Sequence, residues 1–146
     1  MQAEMKMVAQ FQEYINAPRP SFPTTENPLL VAMGQALAAQ ARLLEIYITT
    51  DVRVMRAHLM LEELGELLIG LGLAVQPDSF DACLDLLYVV IGTGTTYAWP
   101  LTDGFKMVHE ANMKKTVSDP RIRNKGSYWQ PPDVASLLDE KQGKLF

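Results

Sequence analysis

Apolar side chains recur at intervals of three and four residues along most of the chain, which is the spacing of one buried face of an α-helix. No stretch alternates apolar and polar residues as a half-buried strand does. The sequence therefore predicts an all-α fold, a bundle of four to five helices followed by a short C-terminal helix over residues 133–140. The main helices are predicted over residues 3–16, 29–47, 52–71, 79–98 and 104–116.

Prolines and capping residues mark where these helices end and begin. The proline-rich stretch 17–27 predicts a loop. The β-branched run 46–50 predicts a break, after which Thr50 or Asp51 caps a new helix. Pro100 ends the fourth helix, so Thr102 or Asp103 is expected to cap the fifth, and Asp133 to cap the last.

The third predicted helix carries three carboxylates on a leucine-rich background. Glu62 and Glu66 are four residues apart and Glu63 and Glu66 three apart, so all three project over one turn of the helix. Like charges this close repel one another, and carboxylate oxygens that need a cation favour Mg²⁺ or Mn²⁺. The alternative is that Glu62 and Glu63 are solvated and only the leucines face inward.

The fourth predicted helix adds two acidic residues. Asp81 and Asp85 stand four residues apart on one face, among apolar neighbours. No Lys or Arg lies between Arg56 and Lys106, so the sequence offers these carboxylates no local cationic partner. Two helices with clustered carboxylates are typical of a metal site between facing helices of a bundle.

Composition and charge narrow the class of protein. The 146 residues, of which 48% are hydrophobic and 21% charged, suit one soluble domain over residues 1–146. A net charge of −4 argues against nucleic acid or an anionic membrane as partner. The N-terminus lacks the apolar core of a signal peptide, and the apolar runs around Glu66 and Asp85 fall short of the ~20 residues that span a bilayer. The single cysteine, Cys83, fits a reducing cytoplasm.

The tail that follows the fifth helix, residues 117–133, is expected to be irregular, basic and aromatic. Its cations and rings are Arg121, Arg123, Lys125, Tyr128 and Trp129. Cations beside aromatic rings suit a nucleotide, with phosphate on the cations and the base on a ring. A second interpretation stays open, in which Trp129 packs on the helices.

The acidic motifs occur in a fixed order with a third segment. The first motif is EExxE at residues 62–66, and the second is Asp81 and Asp85 followed by LLYVVIGT. The third is VHEANMKK at residues 108–115, followed by a basic linker and WQPPD at residues 129–133. This ordered set resembles the all-α nucleoside triphosphate pyrophosphohydrolases, and among them a MazG-like, phosphoribosyl-ATP-pyrophosphohydrolase-like branch. The early segment FQEYINAPRPSFP also fits that branch, so the resemblance covers nearly the whole chain.

Two departures from the superfamily pattern stand out. The second motif is usually ExxD, which would place Glu at position 82, whereas this chain has Ala82 and offers Asp81 one residue earlier. The spacing of Asp81 and Asp85 still keeps both acids on one helical face. The stretch between Pro28 and Glu62 is long, which suggests an extra helix or an arm that packs on a partner.

The resemblance implies a Mg²⁺-dependent enzyme that cleaves a nucleoside triphosphate between the α- and β-phosphates. The products would be a monophosphate and pyrophosphate, as in the cleaning of nucleotide pools. Glu63, Glu66, Asp81 and Asp85 are the expected metal ligands, with Mn²⁺ as an alternative to Mg²⁺. Glu62 either joins them or acts as the base through a water, so Glu62 and Glu63 are the expected catalytic residues.

Five further residues are expected to contact the substrate. Asn112 and Lys115 would bind phosphate oxygens, and Lys125 would add positive charge near them. Tyr88 or Trp129 would contact the base. Related enzymes are dimers or tetramers with sites near the subunit interface, which implies a homodimer or homotetramer here. Two alternatives stay open. One is phosphoribosyl-ATP hydrolysis in histidine synthesis, and the other is a catalytically silent helical oligomerisation or regulatory module, which Ala82 favours.

Overall fold

The computed structural model describes residues 1–119, 122–124 and 129–142, which form six α-helices and one two-stranded hairpin. The all-α class that the periodicity predicts is confirmed. A 3-10 turn, Glu45–Tyr47, extends the second helix. The helices are α1 (Gln2–Tyr14), α2 (Pro28–Leu44), α3 (Val52–Gly72), α4 (Gln76–Thr96), α5 (Leu101–Met113) and α6 (Val134–Gln142).

Side-chain caps fix several of the helix starts. The Asn27 side chain accepts hydrogen bonds from the first backbone N–H groups of α2, and the Asp51 side chain accepts one from the backbone of Arg53 at the start of α3. Asp133 accepts one from the backbone N–H of Ser136 and so caps α6. The predicted break before Asp51 and the predicted cap at Asp133 are therefore confirmed.

The chain divides into two compact units. The central unit is Ser21–Tyr97, and the terminal unit combines Met1–Pro20 with Ala98–Phe146. The central unit holds α2, α3 and α4, in which α3 packs against both of its neighbours. The terminal unit holds α1, α5 and α6 together with the hairpin.

Glycines set the spacing of the helices in the central unit. A Cβ added at Gly65 of α3 would lie 3.0 Å from the carbonyl oxygen of Gly34 on α2. A Cβ added at Gly70 of α3 would lie 2.9 Å from the backbone nitrogen of Ser79 on α4. Helix backbones therefore approach more closely at these two crossings than any larger residue would allow.

The terminal unit is built on the packing of α1 against α5. Phe11, Ile15 and Ala111 are its buried apolar residues within the described ranges. The Tyr14 hydroxyl donates a hydrogen bond of 3.0 Å to the carbonyl oxygen of Lys115, just past the end of α5. These contacts fix the C-terminal end of α5 against α1.

Two features of the terminal unit differ from the sequence expectation. The tail is not wholly irregular, because β1 (Thr116–Asp119) and β2 (Ile122–Asn124) pair antiparallel, with Thr116 opposite Asn124. β-branched residues in both short segments favour extended backbone. Helix α5 begins at Leu101, with Pro100 as its N-cap, and not after a cap at Thr102 or Asp103. The fixed φ of Pro100 suits a helix start.

Large apolar side chains remain exposed in the central unit, and within the described ranges of the chain no large side chain is fully buried. Leu29, Leu43 and Ile46 are between 65% and 74% exposed. Within the described residues, the stretch Pro28–Tyr47 is the one helix that is long and apolar enough to cross a membrane, judged by length and composition alone. The core helix of a soluble bundle meets the same two criteria.

Candidate metal site

The candidate site lies along the contact between α3 and α4, which run antiparallel. Near the connecting loop, Gly70 of α3 lies against Ser79 of α4. At the other end, Arg56 of α3 lies against Gly92 of α4. Because the residue numbers rise on one helix as they fall on the other, Glu63 and Glu66 come level with the stretch from Asp81 to Asp85. We call this contact the acidic seam.

The five predicted acidic residues occupy different depths in the acidic seam. Glu63 is half-buried, whereas its four partners are exposed on the surface of the central unit. The four exposed residues are Glu62, Glu66, Asp81 and Asp85. The exposed carboxylates keep most of their hydration, so the repulsion among the five charges acts most strongly on the half-buried carboxylate of Glu63.

The pKa of Glu63 is raised above its ordinary value of 4.5. Burial is the largest cause, and repulsion from Glu66, Asp85, Glu62 and Asp81, in that order, adds to it. Two of these four carboxylates come from the neighbouring helix α4. Carboxylates from both helices therefore lie within electrostatic range of Glu63.

The chemistry of the donors fits a hard divalent cation, since all five are carboxylates. A cation would also remove the repulsion that raises the pKa of Glu63. Within the described ranges, however, no three Asp, Glu, His or Cys side chains already converge on a single point. The exposed carboxylates would therefore turn toward one another to bind an ion, and exposed side chains change rotamer rapidly.

Glu62 lies beside a histidine, His58, for which the sequence predicts no role. The Nε2 atom of His58 lies 3.5 Å from Oε2 of Glu62, one helical turn away on α3. The Nδ1 atom of His58 lies 2.9 Å from the carbonyl oxygen of Ala41, which can only accept, so Nδ1 carries the proton. The four-residue spacing of His58 and Glu62 is the sequence signal for this pair.

Position 82, where the chain departs from the superfamily pattern, faces the packed side of α4. Ala82 is 4% exposed, and it lines an open groove of about 300 Å³ together with Glu66, Asp78 and Asp81. Asp81 is exposed beside it and contributes to the repulsion on Glu63. The predicted substitution of Asp81 for the missing Glu is consistent with this placement and stays a prediction.

Tyr88 lies on the same face of α4 as Asp81 and Asp85. At 100° per residue, the three side chains leave the helix within about 60° of one another. Tyr88 is 79% exposed, so its ring is open to a ligand. Its predicted role at the base is untested.

Asn112, Lys115 and Trp129 lie together in the terminal unit. The indole Nε1 of Trp129 donates a hydrogen bond of 2.8 Å to the carbonyl oxygen of Ala111, and the Nζ atom of Lys115 lies 5.6 Å from the centre of the Trp129 ring. The backbone N–H of Lys115 donates to the carbonyl of Asn112. Trp129 therefore packs on the end of α5, the second interpretation left open above. Lys125 lies outside the described residues.

Comparisons with protein-family models, with curated proteins and with solved structures found no match to this chain. The resemblance to the pyrophosphohydrolases therefore stays a prediction from the sequence motifs.

Proposed function

We propose that the protein is a cytoplasmic Mg²⁺-dependent nucleoside triphosphate pyrophosphohydrolase that removes unwanted nucleotides from the cellular pool. The observation that carries the proposal is Glu63, whose half-buried carboxylate is repelled by four others from two antiparallel helices. A cluster of this kind is costly in the absence of a cation and is explained if it holds one. The ordered set of three sequence motifs resembles that of the pyrophosphohydrolases, and this resemblance is the basis for proposing cleavage between the α- and β-phosphates.

The acidic residues would have two roles, metal binding and proton transfer. Glu63, Glu66, Asp81 and Asp85 would hold Mg²⁺, which neutralises triphosphate charge and orients an attacking water when it is bound. Glu62 would be the base that accepts a proton from the attacking water, whose oxygen bonds to the α-phosphorus as the bond to the pyrophosphate leaving group breaks. Nε2 of His58, 3.5 Å from Oε2 of Glu62, would be positioned to exchange this proton.

A hydrolysis assay with a panel of ribo- and deoxyribonucleoside triphosphates tests the proposal. Turnover of at least one triphosphate with Mg²⁺, abolished by EDTA, is the expected result. Glu63→Gln and Asp85→Asn should each lower kcat/KM by at least about a hundredfold, whereas Glu140→Gln on the exposed face of α6 is the matched control and should not. Absence of turnover across the whole panel would contradict the proposal.

We also propose that the enzyme is a homodimer or homotetramer. Phe80, Leu84, Leu87 and Ile91 form an apolar stripe along α4, and all four side chains are at least 38% exposed. Obligate dimers bury about 2,000 Å² or more of mainly apolar surface, and an exposed apolar stripe of this kind suits such an interface.

The stripe borders the face of α4 that carries Asp81 and Asp85, so a second copy that covers it would lie beside the acidic seam. Sedimentation equilibrium tests the proposal. Wild type should sediment as a dimer or larger at micromolar concentration, and Leu84→Asp should weaken association strongly. A monomeric wild-type protein would contradict it.

A catalytically silent oligomerisation module is the second candidate, because Ala82 occupies the position at which the superfamily pattern has Glu. Thermal unfolding with increasing Mg²⁺ distinguishes the two functions. A metal site raises the unfolding midpoint with metal concentration, whereas a silent module shows no dependence beyond that of ionic strength.

A further inference from the structure

Arg56 lies in the same α3–α4 contact as the acidic residues, yet its guanidinium lacks a full set of acceptors. The Nε atom is buried and has no hydrogen-bond partner among the residues that the structure describes. The guanidinium lies across Gly92 of α4, where an added Cβ would be 3.0 Å from Nη1 and 3.8 Å from Cζ. A side chain at position 92 would push the guanidinium back by a few tenths of an ångström.

The other two arginines of the central unit are placed differently. Arg53 pairs with Asp51 at 2.6 Å and lowers the pKa of that carboxyl to about 2. Arg42 is exposed on α2. Arg56, by contrast, holds a permanent charge at a half-buried position with a buried donor unpaired. A charge that is half-buried and incompletely paired is costly, so an anionic ligand at the guanidinium would stabilise it.

The position of Arg56 relative to the acidic residues indicates which ligand that is. Arg56 and Glu63 are seven residues apart on α3, so they share a face about 10 Å apart along the helix axis. On α4, Gly92 lies on the same face as Asp81, Asp85 and Tyr88, within about 60°. The central unit therefore carries carboxylates at one end of a continuous surface and an arginine at the other.

We propose that Arg56 binds the terminal phosphates of the triphosphate, the part that leaves as pyrophosphate. This inference rests on the proposed function, in which the carboxylates hold a cation against the same substrate. A guanidinium matches phosphate oxygens with two parallel hydrogen bonds, and it stabilises the negative charge that grows on the leaving pyrophosphate. Gly92 is the positioning residue, because its lack of a side chain lets the guanidinium cross α4.

Calorimetric titration of the full-length protein with pyrophosphate in Mg²⁺ tests the role of Arg56 apart from turnover. Arg56→Gln should weaken pyrophosphate binding by about tenfold or more, the value of one charged hydrogen bond. Arg56→Lys should recover part of the affinity, since lysine keeps the charge but not the fork of donors. Arg42→Gln removes the same charge from an exposed position and should bind as wild type does.

Gly92→Ala provides a second test that removes no charge. It should displace the guanidinium and weaken pyrophosphate binding by several-fold, while helix propensity keeps the melting temperature at or above that of wild type. This variant and Arg56→Lys decide the question if Arg56→Gln fails to fold by circular dichroism.

Three outcomes would overturn the inference. Folded Arg56→Gln that binds pyrophosphate and turns over substrate as wild type does would overturn the role of Arg56 and leave the proposed function intact. Loss of binding that follows only from dissociation of subunits, seen by sedimentation, would assign the acceptor to a second copy of the chain. A wild-type protein that neither binds pyrophosphate with Mg²⁺ nor hydrolyses any triphosphate would overturn the proposed function and this inference together.

Discussion

Replacing Glu63 by Gln should make the metal-free protein more stable at neutral pH. The substitution keeps the size and helix propensity of the side chain but removes a half-buried charge repelled by four other carboxylates. Each like-charged pair near a helix surface is worth about 0.2–0.5 kcal/mol. The pair with Glu66 is of this kind. With the relief of burial and the repulsion from α4 added, the gain should be about 1–2 kcal/mol, or a rise in Tm of about 3–6 °C for a chain of this length.

The stability gained by Glu63→Gln should be present at neutral pH and should disappear as the pH falls. The folded-state pKa of Glu63 lies above its unfolded value of 4.5. Between these two values the folded wild type holds more protons than the unfolded chain, so its stability falls as pH rises through that window. Below pH 4.5 Glu63 is largely protonated in both states, and the advantage of Glu63→Gln should vanish.

Thermal unfolding by differential scanning calorimetry in EDTA, from pH 4 to pH 8, measures this effect. Glu140→Gln, at an exposed position on α6, is the matched control and should show little change. Addition of Mg²⁺ should raise the Tm of wild type more than that of Glu63→Gln, because the variant lacks one ligand. A Tm for Glu63→Gln at or below that of wild type at pH 7 in EDTA would refute the reasoning.

Three further predictions concern single residues. Asp81→Asn should weaken Mg²⁺ binding in a calorimetric titration without lowering the stability of the metal-free protein; an unchanged titration would make Asp81 merely a residue of the first turns of α4. Gly65→Ala should destabilise the protein by about 1–3 kcal/mol in urea unfolding, because its Cβ would lie 3.0 Å from a carbonyl oxygen of α2. Lys115→Ala should cost about 0.5–1 kcal/mol through loss of its contact with Trp129. If Lys115 also binds phosphate, kcat/KM should fall about tenfold, and unchanged kinetics would show that it only packs.

The helices and the acidic seam could be predicted from the sequence because both depend on local spacing. The periods of three and four residues give α1 to α5, and the four-residue spacing of Asp81 and Asp85 places both on one face. The connection between α3 and α4 is short, so the two helices must run antiparallel and bring their acidic residues level.

Other features depend on the packing of residues far apart in the chain. Arg56 and Gly92 are 36 positions apart, and only the register of α3 on α4 brings the guanidinium across that glycine. The hairpin could not be predicted from the sequence, because strands of four and three residues are too short to show alternation of apolar and polar residues. The burial of Ala82 likewise follows from the close crossing at Gly70 and Ser79, one turn away.

The products of the reaction show which bond of the triphosphate is cleaved. Each triphosphate of the panel is incubated with the protein and Mg²⁺, and the products are identified by phosphorus NMR. Wild type should form a nucleoside monophosphate and pyrophosphate in equal amounts, and Asp85→Asn should form neither. Formation of a nucleoside diphosphate with inorganic phosphate would contradict cleavage between the α- and β-phosphates, even if Mg²⁺ is required.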